Sequence, residues 1–173
     1  MANIRIKLLE QSDEEELFKF ELENRAFFES KFLLRHSSYY SFDNFKTIIK
    51  QLIEEQGKDL VYMYLIKTED GEIVGRVNLV SITRGNFNKA ELGYRIAERH
   101  QGKGYTTNAV RLVLDEAANM HKLHRIEAGT SPDNIGSQIV LIKNGFQFTG
   151  RYNQYIYQNG KWIDGINFEK ILD

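Results

Sequence analysis

One hexapeptide of the chain has the residue types and spacing of an anion-binding loop: Gln101, Gly102, Lys103, Gly104, Tyr105 and Thr106. It follows an apolar, strand-like run at 92–97 and precedes a segment with helical periodicity. Glycines allow backbone conformations with positive φ, and the first N–H groups of a helix have no intrahelical acceptor. Because the helix dipole adds to these donors, the loop predicts a phosphorylated ligand.

Two common phosphate-binding motifs fit this loop poorly. A P-loop needs glycine and then serine or threonine at positions where the chain has Ala97 and Gly104. A dinucleotide fingerprint would use Gly102 and Gly104, but it needs a third glycine where Thr107 stands. The loop could also be a turn that only joins a strand to a helix. The hexapeptide alone therefore does not identify its ligand.

The composition narrows the class of protein. The chain has 173 residues and a formal net charge of -1, which suits one domain over 1–173 and predicts no nucleic-acid partner. It has no cysteine, so disulfides, thiolate metal sites and a cysteine nucleophile are excluded. His121 and His124 have no carboxylate cluster nearby in sequence, and we expect no metal. No apolar run approaches the ~20 residues of a membrane span, so we expect a cytoplasmic protein.

Hydrophobic periodicity predicts alternating strands and helices. Strands are expected at 5–9, 61–66, 73–80, 90–97, 125–128, 146–157 and 162–171. Helices are expected at 12–27, 41–57, 134–143 and after the glycine loop. Ser12 should cap the first helix, and Glu15 should complete its capping box. The strand, helix and strand around the loop indicate a parallel pair within a mixed sheet that carries helices on its faces.

The order of several segments resembles one enzyme family. Gln101-x-x-Gly104-x-Thr106 is similar to the Gln/Arg-x-x-Gly-x-Gly/Ala signature of the GCN5-related N-acetyltransferases (GNAT), although Thr106 departs from it. Further segments that follow the family's order lie at 90–96, 131–137 and 143–146. Together they resemble the branch that acetylates the N-termini of ribosomal proteins, and the resemblance extends over residues 5–171.

The resemblance implies a fold and a cofactor. The expected fold is mixed α/β, with a mostly antiparallel sheet of about seven strands that splays at the cofactor site and about four helices on its faces. The cofactor would be acetyl-CoA, with its pyrophosphate on the glycine loop and its pantetheine arm on the preceding strand. Residues that would contact it are Tyr94, Arg95, Ile96, Gln101, Gly102, Lys103, Gly104, Tyr105, Thr106, Thr107, Asn134 and Lys143.

The resemblance also implies catalytic roles. Ser137 matches a serine that, in this branch, helps the thiolate to leave. Many other members use a tyrosine for this role, but Leu141 stands at that position here, so the role would fall to Ser137. Ser137 could instead be a buried serine bonded to a carbonyl one turn back. Ile156 stands where relatives carry a glutamate base, so Glu91 is the next candidate, either as a base acting through water or as a solvated carboxylate.

The expected reaction is direct transfer, in which a neutral amine attacks the thioester and coenzyme A leaves without a covalent enzyme intermediate. An α-amine has a pKa of about 7.7–8.0, so the lack of a strong base favours it over lysine. The expected acceptor is a protein or peptide N-terminus, such as that of a ribosomal protein, on a monomeric or homodimeric enzyme. The alternatives are a small-molecule amine (a polyamine, aminoglycoside or amino acid) and a non-catalytic acetyl-CoA sensor.

Overall fold

The computed structural model describes residues 3–173 and is organised around one sheet of seven strands. The strands are β1 (Ile4–Leu8), β2 (Tyr62–Thr68), β3 (Ile73–Thr83), β4 (Lys89–Ile96), β5 (Arg125–Thr130), β6 (Gln147–Gln158) and β7 (Lys161–Ile171). Their order in the sheet is β1-β2-β3-β4-β5-β7-β6. Every neighbouring pair is antiparallel except β4 and β5, which are parallel. The predicted mixed, mostly antiparallel sheet is confirmed.

Helices cover both faces of the sheet. They are α1 (Glu14–Glu23), α2 (Arg25–Lys31), α3 (Phe42–Gly57), α4 (Tyr105–Asn119) and α5 (Ile135–Lys143). The first three share one apolar core, which includes Leu17, Phe28 and Phe45. The other core lies between the sheet and α4, with Val113 and Leu141 among its members. The sheet therefore separates an α1–α3 face from an α4–α5 face.

Alternation along β4 decides which side chains reach each face. Ala90 and Leu92 are buried in the α4–α5 core, and Tyr94 and Ile96 pack against it. Successive side chains of a strand point to opposite faces, so Arg95 points to the α1–α3 face. One short strand thus supplies side chains to two different chemical environments.

The parallel pair of β4 and β5 separates along its length. Register between the two strands extends only from Lys89 opposite Arg125 to Glu91 opposite Glu127. Beyond this point β4 remains paired with β3, and β5 remains paired with β7 as far as Thr130. Residues 92–96 therefore have a strand on one side and a gap on the other, which is the predicted splay.

The prediction for the first helix was wrong in two respects. Ser12 does not cap it, because residues Gln11–Asp13 form a short 3-10 turn and α1 begins at Glu14. The hydrogen bond at this end joins the Glu10 N–H to Asp13 Oδ2 at 2.9 Å, and Glu15 takes no part in it.

The first helix also ends before Phe27, at Glu23. At this end the Phe20 carbonyl accepts both the Asn24 N–H at 3.2 Å and the Asn24 side-chain amide at 2.9 Å, and α2 begins at the next residue, Arg25. Five α-helices are consequently found in residues 3–173, where about four were expected. None of these helices combines the length and the apolar character needed to span a membrane.

Candidate active site

The glycine loop forms an open cradle at the start of α4. Gly102 has φ of +72° and Gly104 has φ of +77°, which are conformations that favour glycine. The first helical hydrogen bond of α4 joins the Asn108 N–H to the Gly104 carbonyl at 3.1 Å. The N–H groups of Tyr105, Thr106 and Thr107 therefore have no acceptor within the helix. These donors and the helix dipole can hold a pyrophosphate.

Asn144, the C-cap residue of α5, holds the glycine cradle in place. It was not among the predicted site residues. Its side-chain amide donates to the Thr107 carbonyl at 3.1 Å and to the Val140 carbonyl at 2.9 Å. The first turn of α4 is thereby tied to the end of α5. An asparagine directly before Gly145 reads as an ordinary helix ending, so the pattern alone gave no signal of this contact.

Two predicted site residues from distant parts of the chain meet across the splay. The phenol oxygen of Tyr94 lies 2.8 Å from Ser137 Oγ and donates to the Ser137 carbonyl at 3.1 Å. Asn134 is the N-cap of α5, and its Oδ1 accepts the Ser137 N–H at 3.1 Å. The capping role that the sequence suggested for Asn134 is confirmed. Ser137 is thus held by two partners in the first turn of α5.

The Tyr94 phenol is a neutral hydrogen-bonding group. Burial raises the pKa of Tyr94 to about 12, and the hydrogen bond with Ser137 only partly opposes this rise. The phenol therefore stays protonated at neutral pH. When its proton points to Ser137 Oγ, the serine hydroxyl is free to donate in turn toward the gap beside β4.

The remaining predicted cofactor residues lie around the cradle. Gln101 is exposed and extended just before the first glycine. Lys103 is exposed, with Nζ 3.4 Å from His100 Nδ1. Lys143 is exposed at the end of α5, one residue before the asparagine that bonds to the start of α4. Ile96 packs against the α4–α5 core, so only its backbone can face the gap.

Glu91, the candidate base, and Ile156, which stands where relatives carry a glutamate, lie apart from the residues around the glycine loop. Glu91 is exposed at the last paired position of β4 and β5. Ile156 lies on β6 opposite Ile163, so it supplies no carboxylate. The nearby Asp164 accepts the Gln154 N–H and pairs with Arg151, and these contacts hold the pKa of the Asp164 carboxyl below its usual value.

A buried ion cluster on the α1–α3 face was also missed. Glu21 of α1 is 1% exposed, and its Oε1 accepts a hydrogen bond of 2.6 Å from Arg76 Nη1 of β3. Arg95 of β4 and Arg35 lie within 4.0 Å of the same carboxylate. Helical spacing predicted the apolar face of α1, but Glu21 is one of five glutamates in that helix and looks like an ordinary surface residue.

Comparisons with known proteins identify the fold and its chemistry. A sequence profile of the acetyltransferase (GNAT) domain matches residues 3–147. The chain belongs to the GNAT acetyltransferase family. Bacillus subtilis YjcK, a probable N-acetyltransferase, is 41% identical over 162 residues, which cover 93% of this chain and 90% of YjcK. The Escherichia coli alanine N-acetyltransferase of ribosomal protein uS5 is 28% identical over 93% of this chain and 84% of its own length.

Solved structures agree with this assignment. A ribosomal-protein-S5-alanine acetyltransferase from Vibrio fischeri superposes with a TM-score of 0.94 at 29% identity, covering 100% of this chain and 95% of that one. Mycobacterium smegmatis RimJ, solved with a CoA-disulfide, shares the fold with a TM-score of 0.87 at 24% identity, over 97% of this chain and 81% of its own. This GNAT chain is an acetyl-CoA-dependent N-acetyltransferase, and the predicted family, fold class and cofactor are confirmed.

Proposed function

We propose that this enzyme acetylates the N-terminal amine of a protein or peptide. The observation that carries the proposal is the hairpin of β6 and β7, which extends past the end of β5 at Thr130. This extension carries aromatic side chains that are between 53% and 59% exposed: Tyr152, Tyr155, Tyr157 and Trp162. An open aromatic surface beside the splay suits an extended chain end better than an enclosed small-molecule pocket does.

The hairpin has a fixed shape at this surface. Register shifts between Tyr152 and Ile156, and the rings of Tyr152 and Tyr155 stack with centroids 4.9 Å apart. Gly165 lies against the ring of Tyr155, and a side chain at this position would clash with it, since a Cβ would come within 2.8 Å of the ring. A surface held in this way can bind an acceptor without first becoming ordered.

The cradle and the splay fit acetyl-CoA. Backbone N–H groups of 102–107 would hold the pyrophosphate, with Lys103 and Lys143 nearby to add positive charge. The free edge of 92–96 would hold the pantetheine arm as an added strand. When bound, acetyl-CoA supplies an acetyl thioester, whose C–S bond breaks as the new N–C bond forms and whose sulfur leaves as a thiolate.

Ser137 would assist departure of the thiolate. When the single phenol proton of Tyr94 turns from the Ser137 carbonyl to Ser137 Oγ, 2.8 Å away, the serine hydroxyl can donate toward the gap, where the sulfur of the arm is expected. Hydrogen bonds to a developing anion strengthen as charge builds up. Backbone N–H groups of Tyr94, Arg95 or Ile96 would stabilise the oxyanion in the same way.

Glu91 would take the amine proton through water. It lies in solvent at the last paired position of β4 and β5, where the splay begins and water can carry a proton to its carboxylate. Since an α-amine is already partly neutral near pH 7.5, weak assistance is sufficient. This assignment favours α-amines over lysine side chains as acceptors.

The proposal is tested by measuring thiol release from acetyl-CoA in the presence of a panel of amines. The panel contains peptides with alanine or serine N-termini, the same peptides with a blocked N-terminus, spermidine, an aminoglycoside and free amino acids. We expect release with the free peptides only, and mass spectrometry should place the added acetyl group on the first residue. Release with small amines alone would refute the peptide acceptor, whereas tight binding without release would favour the sensor.

A further inference from the structure

The cluster around Glu21 contains more positive than negative charge. Three guanidinium groups, those of Arg35, Arg76 and Arg95, face this one carboxylate. Arg76 is 2.6 Å from Glu21 Oε1, whereas Arg95 Nη1 is 3.8 Å from Oε2 and Arg35 Nη1 is 4.0 Å from Oε1. Only the first contact is a hydrogen bond. One carboxylate therefore compensates one arginine well and the other two poorly.

Several donors and acceptors of the cluster around Glu21 have no hydrogen-bond partner among residues 3–173. Within residues 3–173, Glu21 Oε2 is buried without a hydrogen-bond partner, and so is Arg76 Nε. Among the same residues, Arg35 and Arg95 form ion pairs and ring contacts but no guanidinium hydrogen bond. A guanidinium has five N–H donors in a planar fork that matches a carboxylate.

Aromatic rings hold these two guanidinium groups in place. The Arg95 guanidinium lies over the rings of Phe28 and Phe32, at 4.9 and 4.8 Å from their centroids. Arg35 lies over Tyr39 at 4.0 Å. Their side chains are 18% and 23% exposed, so a ligand can reach them in an environment that excludes most water. Such ring contacts orient an arginine while leaving the edge of its fork available.

The electrostatics of Arg95 agree with an excess of positive charge. Burial, together with Arg76 and Arg35, lowers the pKa of Arg95 to about 10, and Glu21 only partly opposes this effect. Arg95 remains charged at neutral pH. An added anion would lower the repulsion among one buried and two half-buried cations, so it would bind more tightly here than at an exposed arginine.

The cluster adjoins the strand edge that the proposed function assigns to acetyl-CoA. Arg95 belongs to 92–96, the part of β4 that has no β5 neighbour. Its side chain points to the α1–α3 face, whereas that of Tyr94 points to the other face and meets Ser137. An anion on the cluster would therefore lie beside the reacting groups, on the side opposite the thiolate-assisting pair.

We propose that Arg35 and Arg95 form a subsite for a carboxylate of the acceptor, a few bonds from the amine that is acetylated. This inference rests on the proposed function and names the substrate class. The carboxylate would belong to an acidic residue next to the N-terminus of the acceptor peptide. The same charge repels polyamines, whose cationic chains carry no carboxylate.

The test compares acceptors that differ only in charge. Dissociation constants are measured for peptides with Asp or Asn at the second position, with CoA present so that no turnover is needed. The wild-type protein should prefer the acidic peptide roughly tenfold or more, as charge-assisted hydrogen bonds imply, and the preference should weaken in high salt. Equal binding of both peptides by the wild-type protein would overturn the proposal.

Substitutions of Arg95 and Arg35 test whether these two residues cause the preference for the acidic peptide. Arg95→Gln and Arg35→Gln should each reduce the Asp/Asn ratio severalfold, whereas Arg95→Lys should keep part of it. Arg84→Gln is the control, because Arg84 pairs with Asp59 outside this cluster and its loss should leave the ratio unchanged. An unchanged ratio in both glutamine variants would overturn the assignment. If Arg95→Gln does not fold, the better exposed Arg35→Gln decides. Acidic preference without thiol release from any amine would instead contradict the proposed function and leave the subsite supported.

Discussion

The two sides of β4 differ in how they are built. On the side that we propose for the cofactor, called the cofactor side, the important groups are backbone N–H donors at 102–107 and the free edge of 92–96, supported by Tyr94 and Ser137. On the side that we propose for the acceptor, called the acceptor side, they are side chains from distant segments that surround Glu21. Backbone sites are specified by local conformation, whereas side-chain clusters depend on the complete tertiary structure. Different substitutions should therefore disable each side.

The largest expected effect is a loss of folding stability when the charge of Glu21, on the acceptor side, is removed. Glu21→Gln removes the carboxylate charge that faces three arginines, so the free energy of unfolding should fall by about 3–5 kcal/mol. The control is Glu23→Gln, because the Glu23 side chain is 52% exposed and its nearest cation lies 3.8 Å away. Urea denaturation of both variants measures the difference. Equal stabilities would show that the cluster is not a structural requirement.

The same variant should change the pH dependence of stability. Burial raises the pKa of Glu21, but Arg76, Arg35 and Arg95 outweigh it and hold the folded-state pKa below the usual 4.5. The contribution of a depressed carboxyl pKa is present above the unfolded value and is lost as pH falls toward the folded one. The wild-type protein should thus lose stability below pH 4.5 more steeply than Glu21→Gln does. Parallel curves for the two proteins would argue against an ionised Glu21.

A second substitution should disable the cofactor side without affecting the fold. Gly104→Val forces a β-branched residue into φ of +77° at the pyrophosphate cradle, so the dissociation constant for CoA should rise about a hundredfold, or about 2.7 kcal/mol. Gly85→Val is a matched control, because Gly85 has φ of +68° and equally open space around its Cα. It lies in the turn between β3 and β4, outside the glycine loop. Calorimetric titration should find CoA binding unchanged in the control. A similar loss in both variants would mean that backbone strain, not the cradle, weakens binding.

A smaller effect should separate chemistry from binding on the cofactor side. Ser137→Ala should lower kcat about tenfold while the dissociation constant for CoA changes less than about twofold, because the serine hydrogen bond is needed mainly as charge develops. Tyr94→Phe should act through the same contact, so the double variant should be scarcely slower than either single one. An unchanged kcat in Ser137→Ala would remove the serine from the mechanism. Additive losses would separate the two residues.

Sequence patterns predicted the local structure of the glycine loop and of the start of α5 for a physical reason. Gly102 and Gly104 are required by their own backbone conformations, and the strand and helix that flank them have clear hydrophobic periodicity. Asn134 likewise signals its own helix start, which the structure confirms. Features that depend on a few consecutive residues can be read from those residues.

The acceptor side could not be predicted in this way. Glu21 and Arg76 are 55 positions apart, and nothing near either residue indicates that they meet in the interior. The break between α1 and α2 was missed because the apolar spacing continues across it, with Phe27 and Phe28 of α2 following Phe20 at helical intervals. Ile156 shows only that the familiar glutamate is absent, which leaves the assignment of a base to Glu91 as a proposal.

The central claim is that backbone groups of β4 and the glycine loop bind the cofactor while the opposite face is reserved for the acceptor. Amide hydrogen exchange, measured with and without CoA, tests it most directly because it reports on backbone N–H groups. We expect slower exchange on CoA binding at 92–96 and 102–107, with little change across α1 and α2. Unchanged exchange at 102–107, with protection confined to α1 and α2, would contradict it.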